Sequence, residues 1–261
     1  MVFPIGDDNS DRVTFPFVTI ALIVANVFVF AVLQQGFRPA GIDENFTMAY
    51  VQVPAEIISG QDIETEPQMR VVNTPQGAVE VADPGLRKTP IPVWLTLLTA
   101  IFMHGSVMHL LGNMWFLWVF GDNVEDRLGR TSFLAFYLAC GVAAAASQVA
   151  FESTSQLPMI GASGAVAGVL GAYLRLYPRA RVSALFPLLF FWFFREVSAL
   201  FFLGGWFVIQ VGSSLLGLSG VAWWAHIAGF LVGLALSLLA PGAATAPGPG
   251  RARGAKRRAK R

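Results

Sequence analysis

Long apolar runs alternate with short polar segments along most of the chain. A transmembrane helix needs about 20 consecutive, mostly apolar residues, and six of the runs approach that length. They fall near residues 15–36, 105–121, 131–150, 161–178, 197–217 and 221–240. The pattern therefore predicts an all-α membrane protein built as a bundle of six transmembrane helices.

Two further apolar stretches are shorter and are flanked by charged residues or proline. They cover residues 91–103 and 182–194, and the second contains Pro187. We interpret both as interfacial or re-entrant segments, because stretches of about 10–14 residues are too short to cross the bilayer. If 182–194 did cross, the chain would have seven spans and the topology beyond it would be inverted.

The polar segments divide the chain into a membrane domain, one long loop within that domain, and two terminal parts. The membrane domain is predicted to cover 15–240, and the acidic segment 37–90 is predicted to form one long external loop. Residues 1–14 form a short N-terminus. Residues 241–261 are rich in Pro and Gly and then in Lys and Arg, which predicts a disordered basic tail. Such a tail fits anionic membrane lipid as its partner better than nucleic acid.

Composition and charge agree with this organisation. Only 13% of the residues are charged and 55% are hydrophobic, whereas soluble domains carry about 25% charged residues. Six spans place both termini on one side, and a cytoplasmic assignment puts 14 of the 18 Lys and Arg residues inside. We therefore predict a multi-pass protein of a plasma membrane, a bacterial inner membrane, with both termini cytoplasmic. The single cysteine, Cys140, excludes a disulfide framework and a Cys-based metal site.

All three histidines lie in or at the edge of apolar runs, where ionisable groups are costly and usually mark function. His109 and Asn113 are four residues apart and should share one helix face. His104 should point elsewhere, and we assign it a structural bond to the external loop. A lone membrane histidine would more often bond a neighbouring helix, but three histidines together with a matching serine favour a functional site. No metal site is predicted, because the H-E-x-x-H arrangement is missing.

Small residues recur at helical spacing in the fourth and sixth runs. They are Gly161, Gly164, Gly168 and Gly171 in one, and Ala225, Gly229 and Gly233 in the other. Small residues let membrane helices pack closely. Close packing would bring the Ser163 hydroxyl within hydrogen-bond distance, about 2.6–3.2 Å, of the His226 ring. The predicted topology also puts both groups, with His109 and Asn113, in the outer third of the membrane.

Four motifs follow one another along these runs. They are H-x-x-x-x-H-L-x-x-N-M from His104 to Met114, a Gly121, Glu125 and Gly129 stretch, G-A-S-G from Gly161 to Gly164, and A-H-x-x-G from Ala225 to Gly229. In this order and spacing the chain, over roughly 15–240, resembles the rhomboid family of intramembrane serine proteases.

The resemblance implies a fold of rhomboid type and a serine endopeptidase that needs no cofactor. Ser163 would be the nucleophile and His226 the general base, with His109 and Asn113 stabilising the oxyanion. Residues with a structural role near the site would be His104, Gly161, Gly164, Ala225 and Gly229. The expected substrates are transmembrane proteins, cut near the outer end of their helix at small residues. The fifth run would serve as a lateral gate, with Phe201, Phe202, Gly204, Gly205 and Trp206.

One position departs from the family pattern. Some members carry an aromatic residue four positions after the serine, beneath the histidine ring, and this chain has Ala167 there. Trp223 or Trp224 could support His226 instead, or the ring could be held more loosely. The fourth and sixth runs contain no Asp or Glu, so the sequence predicts a Ser-His dyad rather than a triad with an orienting acid.

Two alternatives belong to other functional classes. A catalytically inactive relative would bind membrane proteins without cutting them, and loss of Ser163 or His226 would mark it. A transporter or channel would place polar groups through the whole depth of the bilayer. The sequence carries both dyad residues and clusters its polar groups near one surface, which favours the protease.

Overall fold

The computed structural model describes residues 3–10, 12–74, 77–188, 191–218 and 220–240. Its α-helices are α1 Phe17–Phe28, α2 Glu44–Tyr50, α3 Pro54–Ser59, α4 Thr96–Thr99, α5 Val107–Leu128, α6 Arg130–Phe151, α7 Ser163–Leu176, α8 Ala199–Leu215 and α9 Trp223–Leu236. Its strands are β1 Phe3–Asp7, β2 Gln68–Thr74, β3 Gly77–Asp83, β4 Arg181–Leu188 and β5 Phe191–Ser198. The predicted tail, 241–261, lies outside the described residues.

Each of the six predicted runs contains a helix: α1 and α5 to α9. A π-helical turn, Val29–Leu33, extends α1, and a 3-10 turn, Ser237–Leu239, extends α9. Among the described residues only α6 is long and apolar enough by itself to cross a membrane. A bent pair, Val93–Phe102 with α5, passes the same test as one unit and turns by 78°. The described part of the chain is therefore mostly helical, and the count of six spans stays a prediction.

The prediction of an all-α chain is wrong in three segments. β4 and β5 form an antiparallel hairpin that pairs Arg181 with Ser198, and β1 pairs with β4. The described part of the apolar stretch 182–194, residues 182–188 and 191–194, lies in these two strands and forms no seventh helix. Aromatic and β-branched side chains favour strands, and a short apolar run does not by itself distinguish a strand from a buried helix. The segment 37–90 also has structure of its own: α2, α3 and the hairpin β2–β3.

The stretch 91–103 forms short helical turns before α5. The 3-10 turns Val93–Leu95 and Ala100–Phe102 flank α4. A bend of 78° separates them from α5, which fits either a re-entrant segment or a broken span, so the re-entrant interpretation stays a prediction. The carbonyl of Ala100 accepts a hydrogen bond from the Gly161 N–H, at 2.9 Å, so these turns help to position the segment that leads into α7.

Helix α7 lies at the centre of the core. Every residue from Gly164 to Tyr173 is buried, and α7 contacts α5, α6, α8 and α9. Cys140 of α6 is buried against Gly168, where a Cβ would come within 2.5 Å of the Cys140 Cβ. Small residues thus let the neighbouring helices approach α7 closely, as the spacing of glycines predicts.

The Gly121, Glu125 and Gly129 stretch fixes the start of α1. The buried Glu125 carboxylate accepts hydrogen bonds from the backbone N–H groups of Val18 and Thr19, at 2.9 and 2.7 Å. These N–H groups have no partner within the helix, and a carboxylate also suits the positive end of the helix dipole. Gly129 ends α5 with φ +78°, a conformation that L side chains rarely adopt. The motif therefore holds α1 against α5.

Candidate active site

The Ser163 hydroxyl and the His226 imidazole are in direct contact. Ser163 is the first residue of α7, and His226 lies in the first turn of α9. The Ser163 Oγ is 2.8 Å from the His226 Nε2, the distance of a good hydrogen bond. The two residues that the sequence singled out as nucleophile and base therefore lie together, 63 positions apart in the chain.

Three small residues make this contact possible. A Cβ on Gly229 would overlap the carbonyl oxygen of Gly164, and a Cβ on Gly164 would lie 2.5 Å from the Cβ of Ala144. Ala225 is buried beside them, and its N–H donates to the Gln148 Oε1 at 3.3 Å. Because the backbones of α7 and α9 touch, a short serine side chain can reach the imidazole.

His109 and Asn113 face the segment that precedes Ser163. A Cβ on Gly161 would lie 2.7 Å from the His109 Nε2 and 3.7 Å from the Asn113 Nδ2. Gly161 also has φ +122°, so both its backbone and its surroundings require glycine. The Asn113 Nδ2 is buried and has no hydrogen-bond partner in the part of the chain that the structure describes. It is an unpartnered donor beside Gly161, two residues before the candidate nucleophile.

His104 is not where the sequence predicted. The helix that carries His109 begins only at Val107, with the Ser106 Oγ capping the His109 N–H at 3.1 Å. His104 therefore precedes the helix, and its ring centroid lies 5.2 Å from that of His109, edge to face. The prediction that it points away from His109 is wrong. Its backbone N–H and carbonyl are bonded by the Gln34 side chain, at 2.9 and 3.0 Å.

Two aromatic rings flank His226 in place of an aromatic at position 167. The Trp223 ring centroid lies 6.2 Å from the His226 ring, nearly perpendicular, and Trp206 of α8 lies at 6.0 Å. Trp224 instead stacks on Phe151 at 4.0 Å, so it does not support the base. Ala167 is buried within α7.

Gln210 of α8 also contacts the candidate base, and the sequence did not single it out. Its Oε1 lies 2.7 Å from the His226 Nδ1, on the side of the ring opposite Ser163. Gln210 is the only carboxamide in the apolar run 197–217, and a polar group within such a run usually has a function. That signal was present, but the sequence did not show which way the side chain turns.

A small cavity reaches Ser163. It is lined mainly by small and aliphatic residues, among them Ala100, Gly141, Ala144, Gly161 and Ala222. Within the described ranges, no group of three or more His, Cys, Asp and Glu residues is arranged to hold a metal ion. The side chains and backbone at this point offer a hydroxyl, an imidazole and nearby N–H donors.

Comparison with known proteins places these residues in one domain. The model of the rhomboid domain matches residues 92–242, more than half of the chain, and this range includes His104, Ser163 and His226. A zebrafish protein, "Presenilin-associated rhomboid-like protein A, mitochondrial", is 37% identical over 100 residues, which are 37% of this chain and 26% of that protein. Baker's yeast "Rhomboid protein 1, mitochondrial" is 31% identical over 101 residues, 37% of this chain and 29% of the yeast protein.

One bacterial relative is named as a protease. "Rhomboid protease GluP" of Bacillus subtilis is 42% identical over 81 residues, 31% of this chain and 15% of that protein. In all three alignments the matched segment spans less than a third of the relative's length.

Proposed function

This chain belongs to the rhomboid family, and from that premise we propose that it is an intramembrane serine endopeptidase. It would hydrolyse peptide bonds in or near the transmembrane segments of other membrane proteins. The observation that carries the proposal is the 2.8 Å contact between the Ser163 Oγ and the His226 Nε2. A hydroxyl needs such a base because it is a weak nucleophile at its free pKa.

In the proposed reaction His226 takes the Ser163 proton while the Oγ attacks the substrate carbonyl. The proton then passes to the leaving amine, and the acyl-enzyme is hydrolysed by water activated by the same imidazole. The developing oxyanion would accept hydrogen bonds from the Asn113 Nδ2, a His109 ring N–H and the Ser163 N–H at the start of α7. The unpartnered Asn113 Nδ2 supports this role.

The proposed substrate is a transmembrane helix that unwinds locally at the cleavage point. A helical carbonyl is already hydrogen bonded, so it must be released before it can be attacked. The cavity beside Ser163 has a volume of only about 20 Å³, which supports cleavage next to a small side chain. Helix α8 is proposed as the side through which the substrate enters. Its outer face exposes large apolar side chains, including Phe201 and Val208.

Features of the site argue against two other functional classes. An inactive rhomboid-like binding factor is disfavoured by the intact Ser163–His226 contact. A transporter or channel is disfavoured because His109, Asn113, Ser163 and His226 converge at one point instead of lining a path.

We also propose six spans with both termini on the cytoplasmic side, on the charge asymmetry of the sequence. A bacterial inner membrane stays part of this proposal, although the zebrafish and yeast relatives are named as mitochondrial. Single cysteines at the exposed positions Gln61 and Arg179 test the orientation. An impermeant thiol reagent should label Gln61→Cys from outside and should label Arg179→Cys only after permeabilisation. Labelling of both from one side contradicts the topology.

Cleavage of a model transmembrane substrate in liposomes tests the activity. The wild-type protein should cleave the substrate, and Ser163→Ala and His226→Ala should each abolish cleavage. Both variants should still show the thermal unfolding transition of a folded protein. Normal turnover by either variant would remove the proposed roles from these residues.

A further inference from the structure

Gln210 contacts the candidate base on the nitrogen that does not face the nucleophile. The Gln210 Oε1 lies 2.7 Å from the His226 Nδ1, while the Nε2 of the same ring lies 2.8 Å from the Ser163 Oγ. Gln210 is 6% exposed, although most of α8 is exposed or half-buried. An amide in this position is therefore buried against the imidazole.

We propose that Gln210 is a positioning residue that orients His226 and selects its tautomer. This inference rests on the proposed protease function of the Ser163–His226 pair. An amide oxygen only accepts hydrogen bonds, so its contact with the Nδ1 requires a hydrogen on that nitrogen. The neutral ring then presents the lone pair of its Nε2 to the Ser163 hydroxyl, as a general base must.

This arrangement fills the geometric role of the acid in a Ser-His-Asp triad. In such triads the carboxylate holds the imidazole in the correct tautomer and orientation and also stabilises its protonated form. A neutral amide supplies only the first of these effects. The sequence predicted a dyad because it has no acid in the fourth and sixth runs, and the third group comes instead from the fifth run, as an amide.

Helix α8 holds the ring through a second side chain. Trp206 lies four residues before Gln210, on the same face of the helix, and its ring centroid is 6.0 Å from that of His226. Trp206 also packs against Phe230 of α9, at 6.0 Å. Both contacts of the base with α8 therefore depend on the packing of α8 against α9.

The tautomer can be measured without any turnover. The chain has only three histidines, so the ring nitrogen signals of His226 in ¹⁵N NMR spectra of the full-length protein can be assigned by comparison with His226→Ala. We expect the wild-type neutral ring to carry its hydrogen on the Nδ1, and Gln210→Leu to lose this preference. A wild-type ring with its hydrogen on the Nε2 overturns the proposal, because Gln210 would then donate its NH₂ group to the Nδ1.

Kinetics test the same proposal independently. Gln210→Leu should lower kcat about 10- to 100-fold, because one buried hydrogen bond and the tautomer preference are lost together, while KM changes little. Gln210→Glu should recover much of the rate, since a carboxylate accepts from the same N–H. It should also move the acid limb of the kcat/KM profile to higher pH, because its charge stabilises the protonated ring.

Gln148→Leu is the matched control. Gln148 is also a buried glutamine that bonds α9, but through the Ala225 N–H rather than the ring. It should lose thermal stability and keep the wild-type tautomer and pH profile. Wild-type kcat and an unchanged tautomer in Gln210→Leu would refute the positioning role. Failure of the wild-type protein to cleave any substrate, with the Nδ1 tautomer present, would instead count against the protease function alone.

Discussion

Gly229 of α9 packs directly against the carbonyl oxygen of Gly164 in α7, so closely that a Cβ at position 229 would overlap that oxygen. Gly164 follows the candidate nucleophile, and Gly229 lies about one turn after the candidate base. The distance between the Ser163 and His226 side chains is therefore set by the contact of two backbones.

Gly229→Ala should push α9 away from α7. Overpacking of this kind typically lowers the free energy of unfolding by about 1–3 kcal/mol, and the dyad should separate, so cleavage should fall with stability. Gly212→Ala on α8 is the control, because nothing lies within 4 Å of a Cβ there. Gly212→Ala should leave the free energy of unfolding unchanged or raise it by about 0.5–1 kcal/mol. Equal melting temperatures for the two variants, by thermal unfolding in detergent, would show that the backbone contact does not set the helix distance.

Asn113→Ala should act on the transition state. The Asn113 Nδ2 has no partner among the described residues, and an oxyanion would give it one. Removing one such donor typically lowers kcat by about 10²–10³ and leaves KM little changed. The variant Asn113→Ala/His109→Ala should be nearly inactive yet still bind substrate.

Asn26→Ala is the control for the Asn113 prediction. Asn26 is a buried amide on α1 that bonds the Leu22 carbonyl at 2.8 Å, far from the dyad in sequence. It should lower stability and leave kcat near the wild-type value. If Asn113→Ala instead lost stability and kept its kcat, Asn113 would be an ordinary structural amide.

Glu56 makes the stability of the segment 37–90 depend on pH. Burial raises the pKa of the Glu56 carboxyl from 4.5 to about 7, and its Oε2 is buried without a hydrogen-bond partner in the described ranges. Between about pH 4.5 and 7 this carboxyl binds more protons in the folded protein than in the unfolded chain. The contribution of Glu56 to stability is therefore fully present below about pH 4.5 and is lost as pH rises through 7. Above pH 7 the loss should be about 1–3 kcal/mol.

Glu56→Gln mimics the protonated carboxyl and should remove this dependence. Its melting temperature should exceed that of the wild-type protein at pH 8 and approach it at pH 5. Glu64→Gln, at an exposed carboxylate of the same segment, should leave the pH dependence unchanged. If the difference in melting temperature between the wild type and Glu56→Gln were the same at every pH, the role of Glu56 would be disproved.

The sequence predicted the helices and the proximity of Ser163 and His226, because both follow from patterns with a direct physical cause. Apolar length marks helices in a membrane, and glycine spacing marks where helices touch. It did not distinguish a strand from a helix in 182–194, because a short apolar run fits both. His104 was misplaced because it was counted as part of the helix, although Ser106 is a suitable N-cap two residues later. Gln210 was missed because the direction in which α8 faces depends on tertiary packing.

The most direct test of the account is the covalent labelling of Ser163. A fluorophosphonate reacts with a serine hydroxyl only when a base has activated it, and it requires no knowledge of the substrate. The wild-type protein in liposomes should carry the adduct on Ser163 by peptide mapping, and Ser163→Ala and His226→Ala should carry none. Ser147→Ala, at a serine of α6 whose Oγ contacts the Trp224 carbonyl at 3.4 Å, should label like the wild type. A folded wild-type protein that leaves Ser163 unmodified, or that labels equally well without His226, would contradict the account.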